Sequence, residues 1–148
     1  MNIVKKIDQY NKDFIYFCDP IKNNIMADGT FIRILYSNEI FVMNGIYLMI
    51  PFQNVFIEKY YNKYRCNFDI HSHKELIEKI KWIEESILKK MKNKNKIHVF
   101  KIYEQMRNGN IKVFSDSQEN IHNAFILKIS GIWETDINYG VTYKFLTV

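Results

Sequence analysis

The chain has 148 residues, enough for one domain with its own core, and its 47% hydrophobic content with only 5 Gly and 2 Pro excludes a disordered or linker-rich protein. A net charge of +5 favours polyanionic partners. Arg33, Arg65 and Arg107 are the only arginines, which argues against bidentate base readout and for binding without sequence specificity, if nucleic acid is bound. We expect residues 1–148 to form a single domain.

Secretion and membrane insertion find no support in the sequence. Residues Met1–Gln9 are charged and lack an apolar core, and the longest apolar run, Ile40–Phe52, is interrupted by polar and turn-forming residues. Cys18 and Cys66 do not make a disulfide framework and are expected to be reduced thiols. These features predict an intracellular protein with no membrane partner.

The first half of the chain predicts short strands. Residues Met1–Asp13 show apolar spacing typical of a short amphipathic helix. Asn44-Gly45 is either a tight hairpin turn or a bulge within one longer strand. Aromatic and β-branched segments with alternating polarity predict extended structure at Phe14–Cys18, Thr30–Ser37, Ile40–Met43, Ile46–Ile50 and Val55–Phe68.

One long amphipathic helix is predicted at about residues 73–92. Ser72 and Glu75 have the spacing of a capping box at its start. Trp82 lies nearly opposite the apolar stripe and is either covered by another segment or exposed for a partner. Glu84 falls at the edge of the stripe, which indicates that this edge is not buried all round. The stripe itself, which predicts the buried face, contains Leu76, Ile80, Ile83, Ile87 and Met91.

The last third of the chain predicts strands again. Ile97–Gln105 and Asn110–Phe114 are interpreted as a hairpin joined by Asn108-Gly109. Residues Ala124–Val148 alternate on both sides of a polar turn at Glu134–Asn138 and predict a closing hairpin. Early strands, one helix and late strands indicate an α+β fold with mainly antiparallel strands, either an OB-like barrel or a sandwich with a covering helix.

Motifs for enzymatic chemistry are missing from the sequence. It contains no Gly-rich phosphate loop, Walker motif or nucleophile elbow. Cys66, His71 and His73 form the only metal-like grouping, but they lack a second well-spaced pair of ligands, so both histidines are interpreted as exposed residues at the start of the helix. We therefore expect a non-enzymatic protein without a cofactor or a metal site.

The strongest functional feature is a run of aromatic and basic residues within Val55–Phe68. Proteins that bind single-stranded nucleic acid stack bases on aromatic rings while cations follow the phosphates. The alternative is a strand whose tyrosines pack on one face while its lysines are solvated. Trp82 on the helix, between Lys79 and Lys89, is predicted to add to this surface. The run itself consists of Lys59, Tyr60, Tyr61, Lys63, Tyr64 and Arg65.

The segments KIYEQMRNGNIKVF and FILKISGIWETDINYGVTYKF resemble C-terminal regions of uncharacterised β-rich proteins from large nucleocytoplasmic DNA viruses. Such viruses encode OB-type single-stranded DNA-binding proteins, so the resemblance implies that kind of protein, located in the host cytoplasm or a viral factory. The leading hypothesis is a viral protein that binds single-stranded DNA or RNA with little sequence specificity. The alternative is a non-enzymatic viral structural or protein-interaction protein that meets a protein partner or forms a homo-oligomer.

Overall fold

A computed structural model describes residues 3–23, 29–91, 95–115, 121 and 123–148. These residues form the predicted α+β fold, in which twelve strands lie mostly in one sheet that does not close into a barrel. The strands are β1 (Lys5–Lys6), β2 (Ile15–Phe17), β3 (Ile21–Asn23), β4 (Gly29–Ser37), β5 (Val42–Asn44), β6 (Ile46–Pro51), β7 (Phe56–Tyr60), β8 (Lys63–Asn67), β9 (Ile97–Val99), β10 (Asn110–Val113), β11 (Ala124–Glu134) and β12 (Asn138–Thr147).

Two α-helices accompany the sheet within the described part of the chain. The predicted long helix is confirmed as α1 (Lys74–Met91), and a shorter helix, α2 (Lys101–Arg107), was not predicted. Residues Ile7–Gln9 and Lys12–Phe14 form 3-10 helices, so the amphipathic α-helix predicted for Met1–Asp13 is wrong over its described residues. No helix in the described ranges is long and apolar enough to span a membrane.

The predicted closing hairpin is confirmed and occupies the centre of the sheet. β11 and β12 pair antiparallel, and the pairing path runs β1-β6-β11-β12-β10-β8-β7. The first part of β11 pairs with β6 and its last part pairs with β4, so the neighbouring strand changes along the length of β11. The change of neighbour coincides with a register shift between Ile129 and Gly131. A Cβ atom at Gly131 would lie 2.2 Å from the Ile32 carbonyl oxygen, so only glycine permits this close approach.

The helices cover one face of the sheet, which we call the inner face. Phe125, Leu127 and Phe145 point into this layer and are at most 3% exposed. The Tyr143 hydroxyl, on the same face of β12, donates a 2.6 Å hydrogen bond to the Gln105 side chain of α2. The opposite face of the same strands, the outer face, carries most of the sheet's charged side chains.

The strand predicted at Ile97–Gln105 is wrong, because it ends at Val99 and α2 begins at Lys101. Ile102 and Met106 are four residues apart and fully buried, which is the spacing of one helical face. Gly109, with φ +80°, follows the end of α2, and its N–H donates to the Met106 carbonyl. Asn108-Gly109 is therefore a helix terminus and not a hairpin turn.

The sequence predicts that the edge of α1 at Glu84 is not buried all round. In the structure the Glu84 side chain is completely buried. Its two carboxylate oxygens accept hydrogen bonds from the backbone N–H groups of Ile102 and Tyr103, each at 3.0 Å. Glu84 thus satisfies the first free donors of α2 from a neighbouring helix. Burial raises the pKa of this carboxyl from 4.5 to about 7, although the two N–H donors act to lower it.

The start of α1 also differs from the prediction. The Ser72 hydroxyl donates to the Asp69 carbonyl and the Glu75 carboxylate pairs with Lys79, so the two do not form a capping box. His73 is only 5% exposed, contrary to the expectation for this residue. Its Nε2 accepts from the Gln53 N–H at 2.9 Å, and its Nδ1 lies 2.7 Å from the Asp69 carbonyl. His73 therefore ties the loop after β6 to the helix start.

Candidate nucleic-acid interface

The aromatic and basic run predicted from the sequence lies on a hairpin, not on a single extended segment. β7 and β8 pair antiparallel, with Tyr60 opposite Lys63 and Glu58 opposite Arg65. Residues directly opposite each other in an antiparallel pair share a face, and successive residues alternate. The hairpin therefore divides the run between the two faces of the sheet.

The outer face of this hairpin is extended by β10. Lys112 lies opposite Arg65 in the β8–β10 pairing, and Phe114 follows the end of β10. Phe56, Tyr60 and Phe114 are 69%, 41% and 62% exposed on this one face, and large apolar side chains grouped at a surface are typical of binding sites. We call this surface the outer patch, and its members are Phe56, Tyr60, Lys63, Arg65, Lys112 and Phe114.

Within the outer patch each cation lies over a ring from another strand or its extension, and Lys112 reaches the Tyr60 ring across β8. The Arg65 guanidinium lies 4.6 Å from the centre of the Tyr60 ring and the Lys112 ammonium lies 5.4 Å from it. The Lys63 ammonium lies 4.9 Å from the centre of the Phe114 ring. Contacts of this kind are worth roughly 0.5–1 kcal/mol at exposed sites. They hold positive charge over partly exposed aromatic rings, and binding sites for single strands combine rings and cations.

Arg65 is incompletely neutralised at the centre of the outer patch. Its Nη1 lies 3.8 Å from the Glu58 carboxylate, and both side chains remain partly exposed. That carboxylate also accepts a 3.0 Å hydrogen bond from the Asn67 amide. The Arg65 Nε atom is buried and has no hydrogen-bond partner among the described residues. The Nη groups of this partly exposed guanidinium remain available as donors to a ligand, whereas the buried Nε does not.

The remaining predicted residues of the hairpin lie outside this surface. Tyr64 is opposite Lys59 on the inner face, and its partly buried ring packs against the core, as the alternative interpretation of the run proposed. Lys59 is exposed on the edge strand. Tyr61 occupies the hairpin turn with φ +55° and is 82% exposed, and its ring meets the Tyr60 ring edge-on at 4.8 Å. Tyr61 therefore adjoins the outer patch, whereas Lys59 and Tyr64 do not belong to it.

The predicted helix residues lie elsewhere on the molecule. Trp82 is 55% exposed and packs edge-on against Tyr10, with ring centres 5.9 Å apart. Lys79 forms ion pairs with Asp8 and Glu75, and Lys89 pairs with Glu85 at 2.8 Å. Tyr10 follows β1, which is at the opposite end of the strand path from β7. Lys79, Trp82 and Lys89 are thus not brought together with the hairpin.

Sequence reasoning missed Phe56, Lys112 and Phe114. The alternation of Lys112 and Phe114 in the segment IKVF predicts that they share a face, but nothing local predicts which strand lies beside them. The pairing of β10 with β8, at Lys112 opposite Arg65, supplies that information.

Metal binding and nucleophilic chemistry at Cys66 find little support in the part of the chain that the structure describes. No group of three or more His, Cys, Asp and Glu side chains there could hold a metal ion. Cys66 is fully buried, and burial raises the pKa of its thiol to about 11, which makes it a poor nucleophile. No protein-family model, curated protein or solved structure matches the chain.

Proposed function

We propose that the outer patch binds single-stranded nucleic acid with little sequence specificity. The observation that carries this proposal is the contact of Arg65 and Lys112 with the Tyr60 ring, repeated by Lys63 with the Phe114 ring. Exposed rings offer stacking surfaces to any base, and the adjacent cations attract the phosphates. The protein would act by binding alone, and its action within a virus is part of the same proposal, supported by the resemblance of its last third to viral proteins.

Binding of a labelled single strand of about 12 nucleotides, followed by fluorescence anisotropy over a salt series, tests the proposal directly. We expect affinity to fall steeply as salt rises, because bound cations replace the counterions of the phosphates. Replacement of Tyr60 or Phe114 by alanine is expected to weaken binding by about 1–3 kcal/mol for each ring that stacks on a base.

Tyr16→Ala is the matched control, because Tyr16 is an exposed tyrosine (57%) on β2 and lies outside the outer patch. It should leave the affinity unchanged. Absence of binding at low salt would refute nucleic-acid binding. Equal losses from Tyr16→Ala and Tyr60→Ala would show that the outer patch is not the site.

A second candidate function, protein interaction, is favoured by a different surface. Tyr16, Leu35 and Val42 share a face through the β2–β4 and β4–β5 pairings. Val42 is 68% exposed and the neighbouring Ile40 is 89% exposed. Exposed apolar side chains grouped at a sheet edge are typical of contact surfaces. If this surface joins two copies, Val42→Glu should convert an oligomer to monomers in sedimentation experiments, and a wild-type monomer would refute that role.

A further inference from the structure

A line of cations crosses the sheet on its outer face and continues from the outer patch onto β12 and β11. Arg65 lies opposite Lys112, and Lys144 lies opposite Lys128. The two pairs are joined through β10 and β12, where Lys112 and Lys144 each precede the registered pair Val113 and Phe145. Successive positions on four neighbouring strands therefore carry positive charge. We call this line the cation row, and its members are Arg65, Lys112, Lys144 and Lys128.

The register places the cation row on the outer face. Val113 and Phe145 point to the inner face and are 0% and 3% exposed. The residues beside them along each strand must point the other way. Lys144 is exposed and Lys128 is half-exposed, with its ammonium 5.6 Å from the centre of the Tyr47 ring. The side chains that form the row thus face solvent on the side away from the helices.

Charges of the same sign directly opposite each other weaken a sheet. Here Arg65 faces Lys112, and Lys128 faces Lys144. Among the described residues, only Glu58 forms an ion pair with a member of the row, at Arg65. Within the described ranges the other three cations have no acidic partner, so their charges repel one another. A sheet with no use for an anion would be more stable with neutral or acidic residues at these places, so the row itself points to an anionic ligand.

We propose that a bound single strand runs across the β-strands along the cation row, with bases stacked on Tyr60 and Phe114 at one end. Its phosphates would then contact Lys112, Lys144 and Lys128 in turn. The spacing of neighbouring strands, roughly 4.8 Å, gives the row a span of about 14 Å. This inference depends on the proposed function, and it adds to it a path across the sheet and two contact residues outside the β7–β8 hairpin, Lys128 and Lys144.

The test measures the salt dependence of binding for Lys128→Gln, Lys144→Gln and the double variant, with the same labelled single strand. Each phosphate contact contributes about 0.7 to the slope of log K against log salt concentration. We expect each single variant to reduce the slope by about 0.7 and the double variant to reduce it by about 1.4. Tyr60→Ala is expected to lower affinity while leaving the slope nearly unchanged.

Lys22→Gln is the control, because Lys22 is an exposed lysine on β3 outside the row. The variant removes the same charge from the protein and reports the effect of net charge alone. Thermal unfolding at low salt supplies a second readout, in which Lys144→Gln should melt at the same temperature as the wild type or higher, because it relieves repulsion. That result also verifies folding.

A smaller slope for the row variants than for Lys22→Gln, with undiminished stability, would support the path. Equal slopes for the row and control variants would overturn it and leave nucleic-acid binding by the outer patch intact. A wild-type protein that binds no single strand at low salt would overturn both proposals. A lower melting temperature for Lys144→Gln would overturn the inference that these lysines repel one another in the absence of a ligand.

Discussion

The two faces of the sheet are built by the same strands and have opposite chemistry. On β11 and β12 the inner residues Phe125, Leu127 and Phe145 are almost completely buried. The adjacent residues Lys128 and Lys144 point to the outer face. A slip of one residue in register would exchange the two sets. The inner face therefore specifies the fold, and the outer face is left free to carry charge and exposed rings. The comparison predicts that substitutions on the two faces will have different consequences.

Phe125→Ala should have the largest effect on stability. The ring is fully buried and meets the Phe52 ring edge-on at 5.6 Å. Its removal leaves a cavity, for which we expect a loss of about 3–5 kcal/mol in the free energy of unfolding. Phe114→Ala removes the same ring from the outer face, where it is 62% exposed, and should change stability by less than about 1 kcal/mol.

Denaturant titration of both variants measures this difference, provided that the slopes of the two transitions agree. Comparable losses in the free energy of unfolding for Phe125→Ala and Phe114→Ala would contradict the conclusion that the inner face, and not the outer face, stabilises the fold. They would indicate that Phe114 is packed as part of the core and is not displayed for a ligand.

The sequence predicts the parts of this fold whose signals are local. The closing hairpin shows alternation on both arms, and the helix α1 shows an apolar stripe through Ile80, Ile83 and Ile87. Both signals arise within one element, because burial of one face imposes its period on that element. The register shift at Gly131 leaves no comparable pattern, since it depends on the close approach of the Ile32 carbonyl on another strand.

The features that the sequence could not predict depend on contacts between distant segments. The apolar residues of α2 are too few to distinguish a short helix from a strand, and its first N–H groups are capped by Glu84 of another helix. The candidate site shows the same limit. Tyr60, Lys63 and Arg65 were predicted, but Lys112 joins them only because β10 pairs with β8. The composition of the helix groups Lys79, Trp82 and Lys89 with the β7–β8 hairpin, and the fold separates them.

The second prediction concerns the inner layer, where Glu84 is the buried carboxyl among the described residues. Its pKa is raised to about 7 in the folded protein, first by burial and also by the nearby Glu104 carboxylate, against an ordinary value of 4.5. Between pH 4.5 and about 7 the folded state therefore binds more protons at Glu84 than the unfolded state does. Stability from this group is fully present below about pH 4.5 and is lost as the pH rises to 7, by roughly 3 kcal/mol.

Glu84→Gln removes the titrating carboxyl, so the free energy of unfolding of the variant should depend less on pH than that of the wild type. We expect the difference in unfolding free energy, wild type minus variant, to fall between pH 5 and pH 8, as measured by denaturant titration at matched salt. Glu78→Gln is the control, because Glu78 is exposed on the same helix. A difference between wild type and Glu84→Gln that stays constant over this range would mean that Glu84 is ionised throughout and is fully compensated by the two N–H groups.

The smallest predicted effect is at the hairpin turn next to the outer patch. Tyr61 has φ +55° and the following residue, Asn62, does not have a positive φ, which is the pattern of a type II′ turn. Such turns prefer glycine at this position, because a side chain is strained there. Tyr61→Gly should therefore raise the free energy of unfolding by about 0.5–1 kcal/mol, and Tyr61→Ala should not, since alanine keeps the strain.

The comparison of Tyr61→Gly with Tyr61→Ala also tests whether the Tyr61 side chain contributes to binding while its backbone conformation lowers stability. Both variants remove the exposed ring that adjoins Tyr60, so both should lose any affinity that Tyr61 contributes, and only the glycine variant should gain stability. A tyrosine kept at a strained position is explained if its ring contacts the ligand. Unchanged affinity in both variants would confine the stacking surface to Tyr60 and Phe114 and leave the strain at Tyr61 without a functional cause.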